Sequence, residues 1–318
     1  MPNHLTDRRI VVLVALFCCF LWGSAVPAVK IGYALFAIAP SDTPSLMLFA
    51  GLRFFLSGVI LLAWSGLTPK PVAQPPRRLR QLALLGLVST AAQYLFYYIG
   101  LAHSTGVKVS ITTSTSTFFS VLLAHVLYAD DRLSPRRVIG CLIGFAGVVA
   151  VNLAATGLDL NVSLVGEGFI VLAALLFSVG GIYGKRLSAD MDPGVMTGWQ
   201  LLLGGAVLGL AGLLLGGHFG RFGLEAALLL AYLAALSAAA FALWSVLLKH
   251  NPVGSIAIFN CAIPIFGVLL AGLLLGENIL EWKNLVALVL VSTGIWLATP
   301  AATPPRPLAP QGRGQRSS

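Results

Sequence analysis

Seven of the eight residues from Ser110 to Thr117 carry hydroxyls: Ser110, Thr112, Thr113, Ser114, Thr115, Ser116 and Thr117. They lie in a stretch, Val107 to Leu127, whose other half is mostly apolar and whose length suffices to cross a bilayer. At about 100° per residue the hydroxyls point all round a helix, so they cannot face hydrocarbon on every side. The chemistry they offer is hydrogen bonding to a polar solute or to water. Arg53 adds a charge. It falls eight residues, about 12 Å, beyond the start of its apolar segment near Ser45. An arginine near the bilayer centre costs at least about 2.5 kcal/mol unless it is partnered. All eleven acidic residues lie in loops or at segment ends, which leaves carbonyls, hydroxyls or the anionic group of a bound solute as its partners. Gln93 and the trio Tyr94, Tyr97 and Tyr98 are spaced so that the rings share one helix face, as pocket wall or as interface anchors.

Covalent chemistry has no such support. At membrane depth there is neither a nucleophile beside a base nor a carboxylate pair, which argues against an intramembrane enzyme and gives no catalytic residue. His125 stands alone near the end of its segment. The four cysteines, Cys18, Cys19, Cys141 and Cys261, all sit in apolar segments without metal-ligand spacing, so neither a disulfide framework nor a metal site is expected. The run Gly181 to Arg186 resembles a phosphate loop only superficially: the glycine required five residues before Gly184 is missing, and no cofactor is implied.

The elements that must position these groups are membrane helices. The chain is 58% hydrophobic and 10% charged, against about 45–50% and about 25% in soluble domains. Ten apolar segments stand out, at 10–36, 44–66, 81–101, 107–128, 137–156, 166–184, 194–216, 224–247, 253–275 and 283–299. Most reach the roughly 20 residues that span hydrocarbon. The first is too long for the core of a cleaved leader. Pro27 within it is expected to kink the helix, and Lys30 to reach the interface.

An internal repeat organises the segments. Adding 147 to Leu101, His103, Phe119, Leu122, Leu123, Ala124, Leu133 and Gly147 gives Leu248, His250, Phe266, Leu269, Leu270, Ala271, Leu280 and Gly294. On the same offset Arg53 corresponds to Gln200, Thr113 to Asn260 and Thr117 to Pro264. The expected domains are a first five-helix unit over 10–156 and a second over 166–299, followed by a disordered tail over 300–318. Five is odd, so the second unit is expected to lie upside down relative to the first.

The net charge of +9 would suggest nucleic acid in a soluble protein. Here its distribution excludes that partner. With the N-terminus in the cytoplasm, inside pieces carry fifteen basic residues and outside pieces only Lys108, Arg221 and Lys283. This bias places both termini in the cytoplasm. Gly140 and Gly144 form a small-xxx-small pair suited to helix packing or to a homodimer.

In this arrangement the hydroxyls of segment four occupy one half of the bilayer, and Ser255 and Asn260 of segment nine the other. The two polar half-paths meet near Thr117 and Pro264. That is the geometry of an alternating-access carrier; a passive pore is the alternative reading.

The segments Trp22 to Lys30 (WGSAVPAVK), Gly51 to Gly58 (GLRFFLSG), Gly100 to Ile111, Phe118 to Ser134 and Lys249 to Glu277 together resemble the EamA family of the drug/metabolite transporter superfamily. The resemblance covers nearly all of residues 10–299. It implies an all-α integral membrane fold of ten helices in two inverted five-helix repeats. It also implies a place in the cell (inner) membrane and efflux of small metabolites, often amino acids, through a central cavity walled by helices three, four, eight and nine. Carried onto this chain, those helices supply Gln93, Tyr94, Thr113, Thr117, Trp244, Asn260 and Pro264 as substrate-binding residues, beside Arg53 and Gln200 from the reading above. Ala129-Asp130 stands where the motif has Gly-Glu, as at Gly276-Glu277.

Overall fold

A computed structural model describes residues 7–68, 70–127, 134–151, 163–188, 190–250 and 258–298. The linker at 152–162, Ala129-Asp130, Ser255, the tail beyond 299 and the side chains of His125 and Lys185 lie outside what is described. Among the described residues every regular element is a helix.

Side-chain caps set several of the starts. Helix α1, Arg8–Leu35, begins where the Asp7 carboxylate accepts the Arg9 N–H at 2.8 Å. Helix α2, Thr43–Gly66, begins at Asp42, which accepts from Ser45 at 3.1 Å, with Pro44 in the first turn where no N–H is needed. Pro27 stands inside α1, which runs on without a break. Helix α3, Pro76–Gly86, passes through a π-helical turn, Leu87–Ala92, into α4, Gln93–Ala102. After α5, Gly106–Thr112, come α6, Thr115–Leu127, and α7, Pro135–Val151. A π-turn at Leu164–Gly168, capped by Ser163, leads into α8, Phe169–Ser188. Helices α9, Pro193–Leu214, and α10, Leu224–His250, follow. A 3-10 turn at Ile258–Cys261 then opens α11, Ala262–Leu275, and α12, Trp282–Ala298, closes the described chain.

Six helical runs are long and apolar enough to cross a bilayer: 9–35, 43–66, 76–102, 164–188, 193–214 and 224–247. The other four expected segments appear as shorter or interrupted helices, α5 with α6, α7, α11 and α12. Exposed Leu13, Trp64, Val126, Leu214 and Leu273 give the outer surface the apolar side chains that lipid requires.

Helix packing follows the 147-residue offset. Helix α2 packs on α9 and α7 on α12, each pair being offset mates. The pairs α1 with α11 and α1 with α10 are matched, when the halves are exchanged, by α8 with α6 and α8 with α4; α3 with α9 is matched by α10 with α2. Individual glycines obey the same exchange. Gly58 meets the backbone of Leu202, and its mate Gly205 meets the backbone of Phe55, the mate of Leu202. Between α7 and α12 a Cβ on Gly294 would come within 2.6 Å of the Gly144 nitrogen, and one on Gly147 within 2.9 Å of Val291. Lipid tails are as apolar as the helices, so such backbone proximity, through van der Waals contact, is what holds membrane helices together. The small-residue face at Gly140 and Gly144 is thus taken up inside the chain, by α12.

Candidate functional site

The hydroxyl stretch does not form one helix. Helix α5 ends at Thr112 and α6 starts at Thr115. Between them the backbone tightens to three-residue spacing: Ser114 N–H reaches Ile111 O, Ser116 reaches Thr113 O and Thr117 reaches Ser114 O, each at 3.1 Å. The cause lies in the side chains. Thr115 Oγ1 donates to Thr112 O at 2.8 Å, the carbonyl that the Ser116 amide would take in a continuous helix, while Thr113 Oγ1 joins its own amide on Val109 O at 2.7 Å. In the second half a 3-10 turn, Ile258–Cys261, precedes the start of α11 at Ala262, the mate of Thr115. Pro264 then falls in the first turn of α11, where its missing N–H costs nothing.

Around the first break the polar atoms are buried and only partly used. Ser110, Thr112, Ser114, Thr115 and Thr117 are all buried. Among the described residues, Ser110 Oγ, Thr112 Oγ1 and Ser114 Oγ have no hydrogen-bond partner. Ser110 faces Gly267 of α11, so closely that a methyl there would overlap its Oγ. Ser120 donates to Ser116 O at 2.8 Å and to Ser178 Oγ at 3.0 Å, and Ser178 donates to Ser116 O at 2.8 Å, joining α6 to α8. The π-turn adds Ser89 Oγ and, just beyond it, Gln93 Oε1, both buried and without a partner among the described residues. Each such atom in an apolar setting costs about 1–3 kcal/mol until something bonds to it. The strip thus holds several hydrogen-bonding atoms that no partner among the described residues satisfies.

Tyr94 and Trp244, expected from sequence to line the cavity, lie in separate aromatic groups. Tyr94 lies 4.0 Å from Phe54, 5.9 Å from Tyr97 and 6.4 Å from Tyr98, ring to ring, and Tyr97 neighbours Thr113. Trp244 lies 5.0 Å from Trp22 of α1 and packs in one cluster with Phe259, the residue before half-buried Asn260. Thr117 and Pro264, both buried, each take the third position of their helix.

Arg53 is 3% exposed and finds hydroxyls. Its Nε and Nη2 donate to Ser237 Oγ at 3.1 and 2.8 Å, and Nη1 donates to Tyr98 Oη at 3.1 Å. Tyr33 Oη in turn donates to Tyr98 O at 2.9 Å. Of the three kinds of partner open to Arg53 from sequence, hydroxyls are the ones present. Gln200 makes a long 3.5 Å contact to Thr90 Oγ1 in the π-turn. Tyr98 was read from sequence as a pocket wall or interface anchor, not as a partner of Arg53; Ser237 and Ser89 were not singled out, though the offset could have found Ser237, since it is the mate of Thr90.

At the start of α5, Glu277 accepts the Gly106 and Val107 N–H groups at 2.7 and 2.8 Å, and Lys30 Nζ lies 3.9 Å away. Lys30 was expected to reach the interface; its ammonium sits beside this carboxylate at the end of a segment, half-buried.

A helical chain with six runs long and apolar enough to cross a bilayer is a multi-pass membrane protein. The chain belongs to the EamA-like transporter family, whose model matches residues 9–153 and 164–299. It is 27% identical over 310 residues to the uncharacterized inner membrane transporter YedA of Escherichia coli, covering 91% of this chain and 94% of that one. It is 25% identical over 252 residues to an uncharacterized transporter of Archaeoglobus fulgidus, covering 78% and 85%. A solved crystal structure superposes with a TM-score of 0.69 at 20% identity, over 92% of this chain and 97% of that one, and so shares the fold.

Proposed function

We propose that this transporter is an alternating-access carrier of small metabolites, exporting amino acids or related compounds across the inner membrane, with both termini in the cytoplasm. Ten spans in two inverted five-helix repeats would carry it, and exchange of contacts between the halves would open the centre to each side in turn. The observation that bears this reading is the row of buried hydroxyls without partners at a helix break, with a 3-10 turn opening α11 at the equivalent place. In a discontinuous helix the freed polar groups are the natural solute ligands. Gln93, Tyr94, Thr113, Thr117, Trp244, Asn260 and Pro264 line the path in this reading. Arg53 and Gln200 brace it from α2 and α9, with Arg53 held ready for an anionic group.

The test is flux in proteoliposomes with a panel of labelled amino acids, with and without a pH gradient. A carrier gives saturable uptake and accelerated exchange when cold solute is preloaded. Uptake linear in concentration, with no exchange acceleration, would identify a pore instead.

A further inference from the structure

A second polar site lies away from the central break. Where α4 ends, the turn through His103, Ser104 and Thr105 leads into α5, and the Ser163 turn leads into α8. Between them is an open cleft of about 410 Å³. Glu167 lines it and is only 5% exposed. One carboxylate oxygen, Oε1, accepts the Ser104 hydroxyl at 2.7 Å and lies 3.6 Å from Lys108 Nζ. The other, Oε2, is buried and has no partner among the described residues. The Lys108 side chain keeps 32% of its surface exposed.

A purely structural role accounts for half of this. A carboxylate in the first turn before α8 suits the helix dipole, and an ion pair to α5 contributes about 0–1 kcal/mol. Neither explains an unbonded, buried Oε2. Leaving a charged acceptor without a donor is costly, whereas Ser104 and Lys108 serve only the other oxygen.

We propose that this cleft is a binding site for α-amino-acid zwitterions, the solute's ammonium docking on Glu167 and its carboxylate on Lys108. Four charges then alternate in sign around a ring, so each is flanked by opposites. A lone amine meets the repulsion of Lys108, and a lone carboxylate that of Glu167. The site therefore selects for both charges on one small molecule. Binding here goes beyond the carrier reading; only a role as a vestibule on the transport route rests on it.

The experiment places a reporter in the cleft. His103 lines the cleft and is exposed, its Nδ1 occupied by Ile99 O of its own helix at 2.9 Å. In His103→Cys, modification by a water-soluble maleimide is timed against the unsubstituted protein as background, with L-alanine as probe. At about ten times its dissociation constant L-alanine slows the labelling about tenfold. Ethylamine and propionate, the two halves of the probe, do not. Adding Glu167→Gln removes the protection, and so does Lys108→Gln, which serves where the first variant folds poorly. Protection that persists in both variants, or that either half-molecule gives as well, overturns the proposal. Flux of L-alanine in vesicles is measured alongside. Flux without protection sinks the cleft and leaves the carrier standing, while protection without flux leaves the cleft and removes L-alanine from the carrier's substrates.

Discussion

Arg53 on α2 grips Ser237 on α10 with two N–H groups of one guanidinium, at 3.1 and 2.8 Å. The residues 147 positions away, Gln200 on α9 and Thr90 in the π-turn, form the corresponding pair at 3.5 Å. The first half thus reaches into the second as the second reaches into the first, once with a charge and once with an amide. Ser237→Ala strips two donors of their acceptor and leaves a buried charge under-bonded, an expected cost of about 1.5–3 kcal/mol. Tyr98→Phe removes one bond and should cost less. Thermal unfolding in detergent checks the order; equal losses would mean that the serine is not the main anchor. Arg53→Gln is expected to insert normally and to abolish transport.

Glu277 caps a helix that is only seven residues long. Its two bonds satisfy N–H groups that hydrocarbon could not, so Glu277→Ala should cost about 1–2 kcal/mol. Lys30→Met should change stability by less than about 1 kcal/mol, since a 3.9 Å contact to a partly exposed carboxylate is a weak pair. The same melting experiment separates the two.

Gly294 has no room for a side chain against Gly144 and Gly140. Gly294→Leu meets backbone, which cannot rotate away, and should destabilise the fold by about 3 kcal/mol. The readout is the fraction of protein eluting as a monodisperse peak. Normal elution and melting would show that α7 and α12 can separate freely.

Asp192 caps α9 through Gly194 and Val195 at 2.9 and 3.2 Å and takes the Lys70 ammonium at 3.1 Å. Partial burial alone would raise its carboxyl, but the Lys70 hydrogen bond and charge and the two N–H groups outweigh it and hold the carboxyl below the ordinary 3.8. With the native value lower than the unfolded one, its stabilisation is complete above the ordinary carboxylate range and fades as pH falls through the lowered native value. Asp192→Ala should therefore melt lower than the wild type at neutral pH, and the gap should narrow in acid. A gap independent of pH would show that the charge plays no part.

Thr113→Val and Gln93→Leu each remove one hydrogen-bonding group from the proposed path. Losing one bond of about 0.5–1.5 kcal/mol raises KM by about 2- to 12-fold, measured as half-saturation of flux. Unchanged KM in both variants would move the solute path elsewhere.

Much of this architecture was legible before any coordinates. Apolar length marks membrane helices because hydrocarbon admits little else, and the offset of 147 residues is a pattern of letters. The burial of the polar stretch at Ser110 to Thr117 was legible for the same reason: hydroxyls in such number have no place facing lipid. The break inside that stretch was not legible. Whether a threonine bonds to its own helix or lets the helix continue depends on local competition that composition does not resolve, and the sequence alone suggested one helix from Val107 to Leu127.

Sequence by itself determined that helices cross a membrane, that they come in two related sets and that Arg53 needs a partner, since each follows from the cost of polar groups in hydrocarbon. Only tertiary structure decided which partner that is. Tyr98 and Ser237 lie 45 and 184 residues from Arg53, and nothing along the chain brings hydroxyls to a guanidinium across such distances. Close packing of α2, α4 and α10 does, and it likewise commits Gly144 to α12 and Glu277 to the start of α5.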